Sequence, residues 1–192
     1  MPEEQFQKNK IGWEKSVSEG FSQDENGDAV PWMTYPAIEF LKKNLTKNHR
    51  IFEFGCGAST LFFASRVKKV VGLETRPNWV EMMLKRSNGK LSQNVEITLM
   101  EDGLTNNSYE NFANNCGQKF NFIVVDSLKR FECARNSVDA LDRGGAIILD
   151  DSERPHYKKI FDFFSEKNFK KQDFPGISPG QMRVKNTTIF FN

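Results

Sequence analysis

Five short apolar runs, Arg50 to Phe54, Lys69 to Leu73, Val95 to Met100, Phe120 to Val125 and Ala146 to Leu149, alternate with stretches of helical spacing. This alternation constrains the fold more than any single motif. Parallel strands joined by helical crossovers are covered on both faces, so each reads as a nearly continuous apolar run. The intervening helices are expected over Ser59 to Arg66, Asn78 to Arg86, Phe131 to Leu141 and His156 to Lys167. An earlier helix begins at Pro36 and carries Ala37, Ile38, Phe40, Leu41 and Leu45, with Thr34 or Tyr35 at its cap. Residues 106–118 are polar and asparagine-rich, and are read as a loop or a weak helix. The end differs: Phe169 to Phe174 and Lys185 to Phe191 are strand-like and joined by Pro175-Gly-Ile-Ser-Pro-Gly180, which suggests a closing antiparallel hairpin.

A chain of 192 residues suits one sizeable core rather than two. We place the core domain at residues 31–192 and read residues 1–30 as an N-terminal extension or lid, pinned by Phe6, Ile11, Trp13 and Phe21. With 27 basic and 25 acidic residues the formal charge is only +2, so no uniform field steers the chain to nucleic acid. Met1 to Lys10 has no apolar run behind it, and no stretch is long and apolar enough to cross a bilayer. Cys56, Cys116 and Cys133 are odd in number and form no CxxC pair. Together these features lead us to expect a cytoplasmic protein with reduced thiols and no membrane partner.

Ile51-Phe-Glu-Phe-Gly-Cys-Gly-Ala-Ser-Thr60 is an apolar strand ending in a glycine turn that opens a helix. Gly55 and Gly57 permit a tight turn and close approach of backbone to a ligand, while Ser59 or Thr60 can cap the helix. Strand, turn and helix with two glycines also occur for purely structural reasons. The next strand ends in Glu74, about 20 residues on, where a carboxylate accepts hydrogen bonds from ribose hydroxyls; the alternative is a solvated strand end. Glu101-Asp102-Gly103 and Asp126-Ser127 close two further strands. Open α/β sheets bind ligands at the carboxyl ends of their strands, so these acids converge on one crevice. A dinucleotide site wants a third glycine where Thr60 stands, and Glu53 would repel a pyrophosphate. Glu53 suits instead a ligand with an amino group and a sulfonium. Charge pattern therefore favours S-adenosylmethionine over NAD.

Glu53-Phe-Gly-Cys-Gly57 resembles the first motif of the class I S-adenosylmethionine-dependent methyltransferases, with Glu in place of the more frequent Asp. The resemblance spans about residues 31 to 192. It implies an α/β, three-layer Rossmann-like sandwich, its mostly parallel seven-stranded sheet ending in an antiparallel C-terminal hairpin. By the same resemblance Glu53, Gly55 and Gly57 line the methionine moiety, Glu74 binds the ribose, Asp102 meets the adenine amino group and Asp126 lies near the transferred methyl. Cys56, Ser59, Thr60, Thr75 and Gly103 complete the expected cofactor contacts. Cys56 faces the pocket by position, but its glycine neighbours supply no base and it is not expected to act as a nucleophile.

Methyl transfer is a displacement at a sulfonium, so the protein must align the acceptor and, for weakly acidic acceptors, remove a proton. Asp126 and the pair Asp150-Asp151 are the catalytic candidates. This stretch resembles catechol-type and caffeoyl-CoA-type O-methyltransferases, in which an acid after the fourth strand and an Asp-Asn after the fifth hold a divalent metal. Here the second residue is Asp151, and Ser152-Glu-Arg-Pro-His156 departs from that pattern. Three carboxylates suit Mg²⁺ or Ca²⁺; alternatively Asp151 or Ser152 caps the next helix and Asp150 satisfies loop amides. The latter is favoured, and no metal ligand is assigned. His156 is a general base or a surface residue, while Trp32 and Tyr35 close over the ligand or anchor the core.

Asp126-Ser-Leu-Lys129 lacks the Asn/Asp-Pro-Pro-aromatic motif of enzymes that methylate base or glutamine amino groups, and no Pro-Cys dipeptide occurs. A small-molecule acceptor is favoured, with O-methylation preferred. A binding protein without turnover and a NAD-dependent oxidoreductase are the alternatives.

Overall fold

The computed structural model describes residues 12–102, 105 and 108–192. Phe6, Ile11, Gly103 and Asn106 lie outside the described residues.

Within them the strands form one seven-stranded sheet of order β3-β2-β1-β4-β5-β7-β6. The strands are β1 (Arg50–Phe54), β2 (Lys69–Glu74), β3 (Val95–Leu99), β4 (Phe120–Val125), β5 (Leu141–Leu149), β6 (Lys170–Ser178) and β7 (Gln181–Phe191). β1 to β5 pair in parallel, and β7 runs antiparallel to both β5 and β6. The order reverses between β1 and β4, which leaves a crevice at their carboxyl ends.

Strand alternation divides the core between two faces. Ile51, Val70, Val124 and Ile148 pack on one side with Ile38, Leu41, Phe62 and Phe63. The next residue along each strand, Phe52, Val71, Val125 and Leu149, packs on the other with Tyr109, Cys133, Ile160 and Phe164. This is the three-layer arrangement. Its helices are α1 (residues 12–19), α2 (Tyr35–Asn44), α3 (Ala58–Ala64), α4 (Pro77–Arg86), α5 (Phe112–Asn115), α6 (Arg130–Asn136) and α7 (Lys158–Glu166). Thr34 caps α2, its hydroxyl accepting from the Ala37 amide. No described helix is long and apolar enough to cross a membrane.

Two elements depart from the sequence reading, while the asparagine-rich stretch takes the weak-helix form that reading allowed. Pro175 and Gly176 lie inside β6, paired to Asn186 and Lys185, and the turn shrinks to Pro179-Gly180. β6 is an edge strand, where proline removes no needed ladder bond. The asparagine-rich stretch contains a 3-10 turn, Tyr109–Asn111, followed by α5, and Tyr109 is fully buried. A single large aromatic side chain anchors a segment whose average polarity reads as loop. β5 also begins at Leu141, ahead of the apolar run.

Residues 12–30 pack onto the domain. Trp13 donates its indole N–H to the Gln181 carbonyl at 3.3 Å, and the Arg86 guanidinium pairs with Glu19 while lying 4.7 Å over the Phe21 ring.

At Gly72 in β2 an added Cβ would come within 2.3 Å of the Cys56 sulfur. Gly72→Ala should therefore destabilise the fold by about 1–3 kcal/mol through overpacking. Adding Cys56→Ala should recover most of that loss, as read from melting temperatures of the two single variants and the pair.

Candidate functional site

The crevice at the switch point is an open cleft with a volume of about 80 Å³. Its floor is Gly55 to Ser59 with Glu74, one wall is Pro31 to Met33, and Arg76, Trp79, Asp126 and Ser127 complete it. Gly55 has φ of +92° and lies so close to β4 that a Cβ would meet the Asp126 carbonyl oxygen at 2.6 Å. Only glycine fits both conditions. The turn after it is held by Glu74. One oxygen of this carboxylate accepts from the Cys56 amide at 2.7 Å, and the other accepts from the Thr75 and Arg76 amides at 2.7 and 2.8 Å. Thr60, rather than Ser59, reaches back along α3, accepting from the Gly57 amide at 3.0 Å.

Glu53 lies beneath this floor and not on it: it is fully buried, and neither carboxylate oxygen has a hydrogen-bond partner. Burial pushes its carboxyl up to about 8, with Asp126 and Glu74 adding to the rise. The Ser59 and Thr60 hydroxyls approach and favour the charged form without reaching hydrogen-bond geometry. Cys56 lines the cleft, and burial together with Glu53 and Glu74 drives its thiol well above the ordinary range. It is no nucleophile.

Asp126 faces the cleft and pairs with Arg130, the first residue of α6, at 2.6 Å. Asp150 and Asp151 stand behind it, off the cleft wall, and one oxygen from each of the three acids falls within 4.8 Å of the others. The expected loop-amide and capping roles are not what the side chains do. Asp150 contacts Lys185 and accepts from the Thr187 hydroxyl at 2.7 Å, while Asp151 pairs with Lys185, Arg154 and Arg183. Ser152 bonds back to Asn186 and Thr188 on β7. Burial and Asp126 push Asp150 up, to about 7, even with Lys185 against it. Lys185 is raised in turn, its burial outweighed by Asp150 and Asp151. Three oxygens, two of them carboxylate, surround the ammonium, so we assign the shared proton to nitrogen. Lys185, with Arg154 and Arg130, holds Asp151 below the carboxylate range despite burial.

The other expected residues separate. Thr75 follows Glu74 and is half-buried, whereas Asp102 is exposed in the turn after β3 and is not part of the cleft wall. Trp32 is on the wall, its indole N–H donating to the Pro179 carbonyl at 2.6 Å; Tyr35 belongs to the core instead. His156 is exposed against Tyr157, away from the cleft. The sequence reading missed Trp79, whose ring meets Trp32 edge-on at 5.7 Å, and Arg76, 5.6 Å from that ring. It also missed Lys185. Two-residue periodicity places Lys185 on the face of Thr187 and the buried Ile189, which is the signal for it.

Neither a protein-family model nor a curated protein matches the sequence. Solved structures do. Precorrin-8w decarboxylase from Methanobacterium thermoautotrophicum is 20% identical, with a TM-score of 0.60 over 90% of this chain and 96% of that one. An rRNA methylase from Streptococcus thermophilus is 14% identical, with a TM-score of 0.59 over 82% and 95%. The N-methyltransferase NodS from Bradyrhizobium japonicum, in complex with S-adenosyl-L-homocysteine, is 16% identical, with a TM-score of 0.53 over 79% and 81%. The chain thus has the Rossmann-like fold of S-adenosylmethionine-dependent methyltransferases.

Glu53 generates a prediction about the unliganded protein. Its folded value of about 8 exceeds the ordinary 4.5, so the native state keeps a proton that the unfolded chain releases. That stabilisation is complete below about pH 4.5 and is lost as pH rises through about 8, at about 1.4 kcal/mol per unit. Glu53→Gln stays neutral and escapes the loss. In urea unfolding it should gain on wild type between about pH 5 and pH 8, and a pH-independent difference would refute the assignment.

Proposed function

We propose that this protein is an S-adenosylmethionine-dependent methyltransferase acting on a small-molecule acceptor. The observation that carries the reading is the buried carboxyl under the glycine turn: Glu53 has no hydrogen-bond partner, and its raised value of about 8 keeps it protonated until a positive group arrives. Such a floor gains a charge to match an ammonium and a sulfonium, and offers the pyrophosphate of NAD no such match. In this reading residues 31–192 are the catalytic domain and residues 1–30 an extension, of which residues 12–30 pack against it.

Gly55, Cys56, Gly57, Ser59 and Thr60 surround the amino-acid end of the cofactor, with Glu53 acting on its charge across the turn. Glu74 and Thr75 take the ribose, using carboxylate lone pairs that the backbone amides leave over. Asp102 and Gly103 belong to the adenine end. When bound, the cofactor supplies an electrophilic methyl group. Asp126, whose carboxyl burial raises against the pull of Arg130, accepts the acceptor's proton, which favours a hydroxyl group. Asp150 and Asp151 hold Lys185, whose bond to the Trp32 carbonyl at 3.0 Å orders the acceptor wall. Trp32 and Trp79 narrow the mouth, which supports a small acceptor over a polymer.

Calorimetry tests the cofactor. S-adenosylmethionine should bind and NAD should not. Pairing with the ligand should ionise Glu53, so binding below about pH 8 should release a proton and tighten as pH rises. Glu53→Gln should abolish both effects. Glu74→Gln should weaken binding by about 1–3 kcal/mol. For transfer, a metabolite screen should find an acceptor that yields S-adenosylhomocysteine, with activity that Asp126→Asn reduces. Binding with no product from any acceptor would instead favour a protein that only binds the ligand.

A further inference from the structure

The ends of β4 and β5 bring Asp126, Asp150 and Asp151 to within 4.8 Å of one another. Three carboxylates at that spacing present the hard oxygen donors that Mg²⁺, Mn²⁺ or Ca²⁺ prefers. An ammonium already stands there. Lys185 Nζ contacts Asp150 Oδ2, donates to the Trp32 carbonyl at 3.0 Å and forms an ion pair with Asp151 Oδ1 at 2.9 Å. Three oxygens therefore surround the ammonium. Lys185 and Asp150 are 3% and 2% exposed, so water does not screen the pair.

The remaining charges are spoken for. Arg130 pairs with Asp126, and Arg154 and Arg183 pair with Asp151, so with Lys185 three carboxylates already face four cations. A divalent ion entering among them would meet the ammonium at short range in a dry environment, where like charges repel strongly.

We infer that Lys185 is the resident cation of this cluster, standing where a divalent ion would otherwise sit, so that the three carboxylates bind no metal. The donor set itself is competent. Shortening residue 185 would leave two carboxylates and the Trp32 carbonyl around an open position relieved of its ammonium. The inference rests on the cluster alone and stands or falls without S-adenosylmethionine.

Manganese(II) is the probe, followed by electron paramagnetic resonance on the full chain without cofactor. Wild type should show no bound Mn²⁺ up to about 1 mM, the range of weak carboxylate sites. Lys185→Ala should acquire one bound Mn²⁺ per chain, and the double variant Asp150→Asn, Lys185→Ala should lose it. If Lys185→Ala is poorly folded, Mn²⁺ should raise its melting temperature while leaving that of the double variant unchanged. Mn²⁺ bound to wild type and released by Asp150→Asn would overturn the inference, as would a folded Lys185→Ala that binds none. Should Lys185→Ala fold under neither condition, the wild-type and Asp150→Asn titrations decide the matter.

Discussion

The carboxylate of Glu74 joins the two strand ends on which the cleft depends. By accepting from the Cys56, Thr75 and Arg76 amides it closes the glycine turn after β1 against the end of β2. The Cys56 amide is buried and would otherwise lack a partner, at a cost on the order of 1–3 kcal/mol, while the Thr75 and Arg76 amides are only partly buried. The turn can then run close to β4 at Gly55, which brings Asp126 to the cleft. The floor, its negative charge and the neighbouring acid all follow from this one arrangement.

Charge around the cleft is distributed unevenly, and the unevenness has chemical content. Asp126 has Arg130; Asp150 and Asp151 have Lys185 and two further arginines. Glu53, the most deeply buried of these acids, has nothing. A buried ionised group without a partner is costly, and the group answers by holding its proton. Beneath the cleft, Glu53 therefore carries a latent negative charge that a positive group above the turn would release.

The Trp32 wall of the cleft is built from sequence-distant pieces. Trp32 hangs between the Pro179 carbonyl, which takes its indole N–H, and Lys185, which takes its backbone carbonyl. Trp13 from the N-terminal helix bonds to Gln181 beside them. The hairpin of β6 and β7 therefore closes the sheet and also supports the segment that shapes one side of the cleft. Insertion of β7 between β5 and β6 is what brings Lys185 behind Asp150.

The sequence by itself determined the layers of this protein and the place of its cleft. Both rest on local signals: apolar runs of strand length, helical spacing between them, and glycines and acids at the strand ends, each readable within a few residues. Hence β1 and β4 appear with the bounds expected of them, and Gly55, Gly57 and Glu74 meet in one place. Tertiary structure alone decided the partners. Lys185 reads as one more charge in a strand until its neighbour strand is known, and Asp150 and Asp151 read as a metal seat or a helix cap until Lys185 stands against them. Trp79 joins the cleft only through the packing of α4 over Gly57, and Tyr109 enters the core from a polar stretch. The reason is physical: a side chain's propensity is set by its own neighbours in the chain, whereas its charge state and partners are set by groups far away in sequence, brought to it by the sheet order.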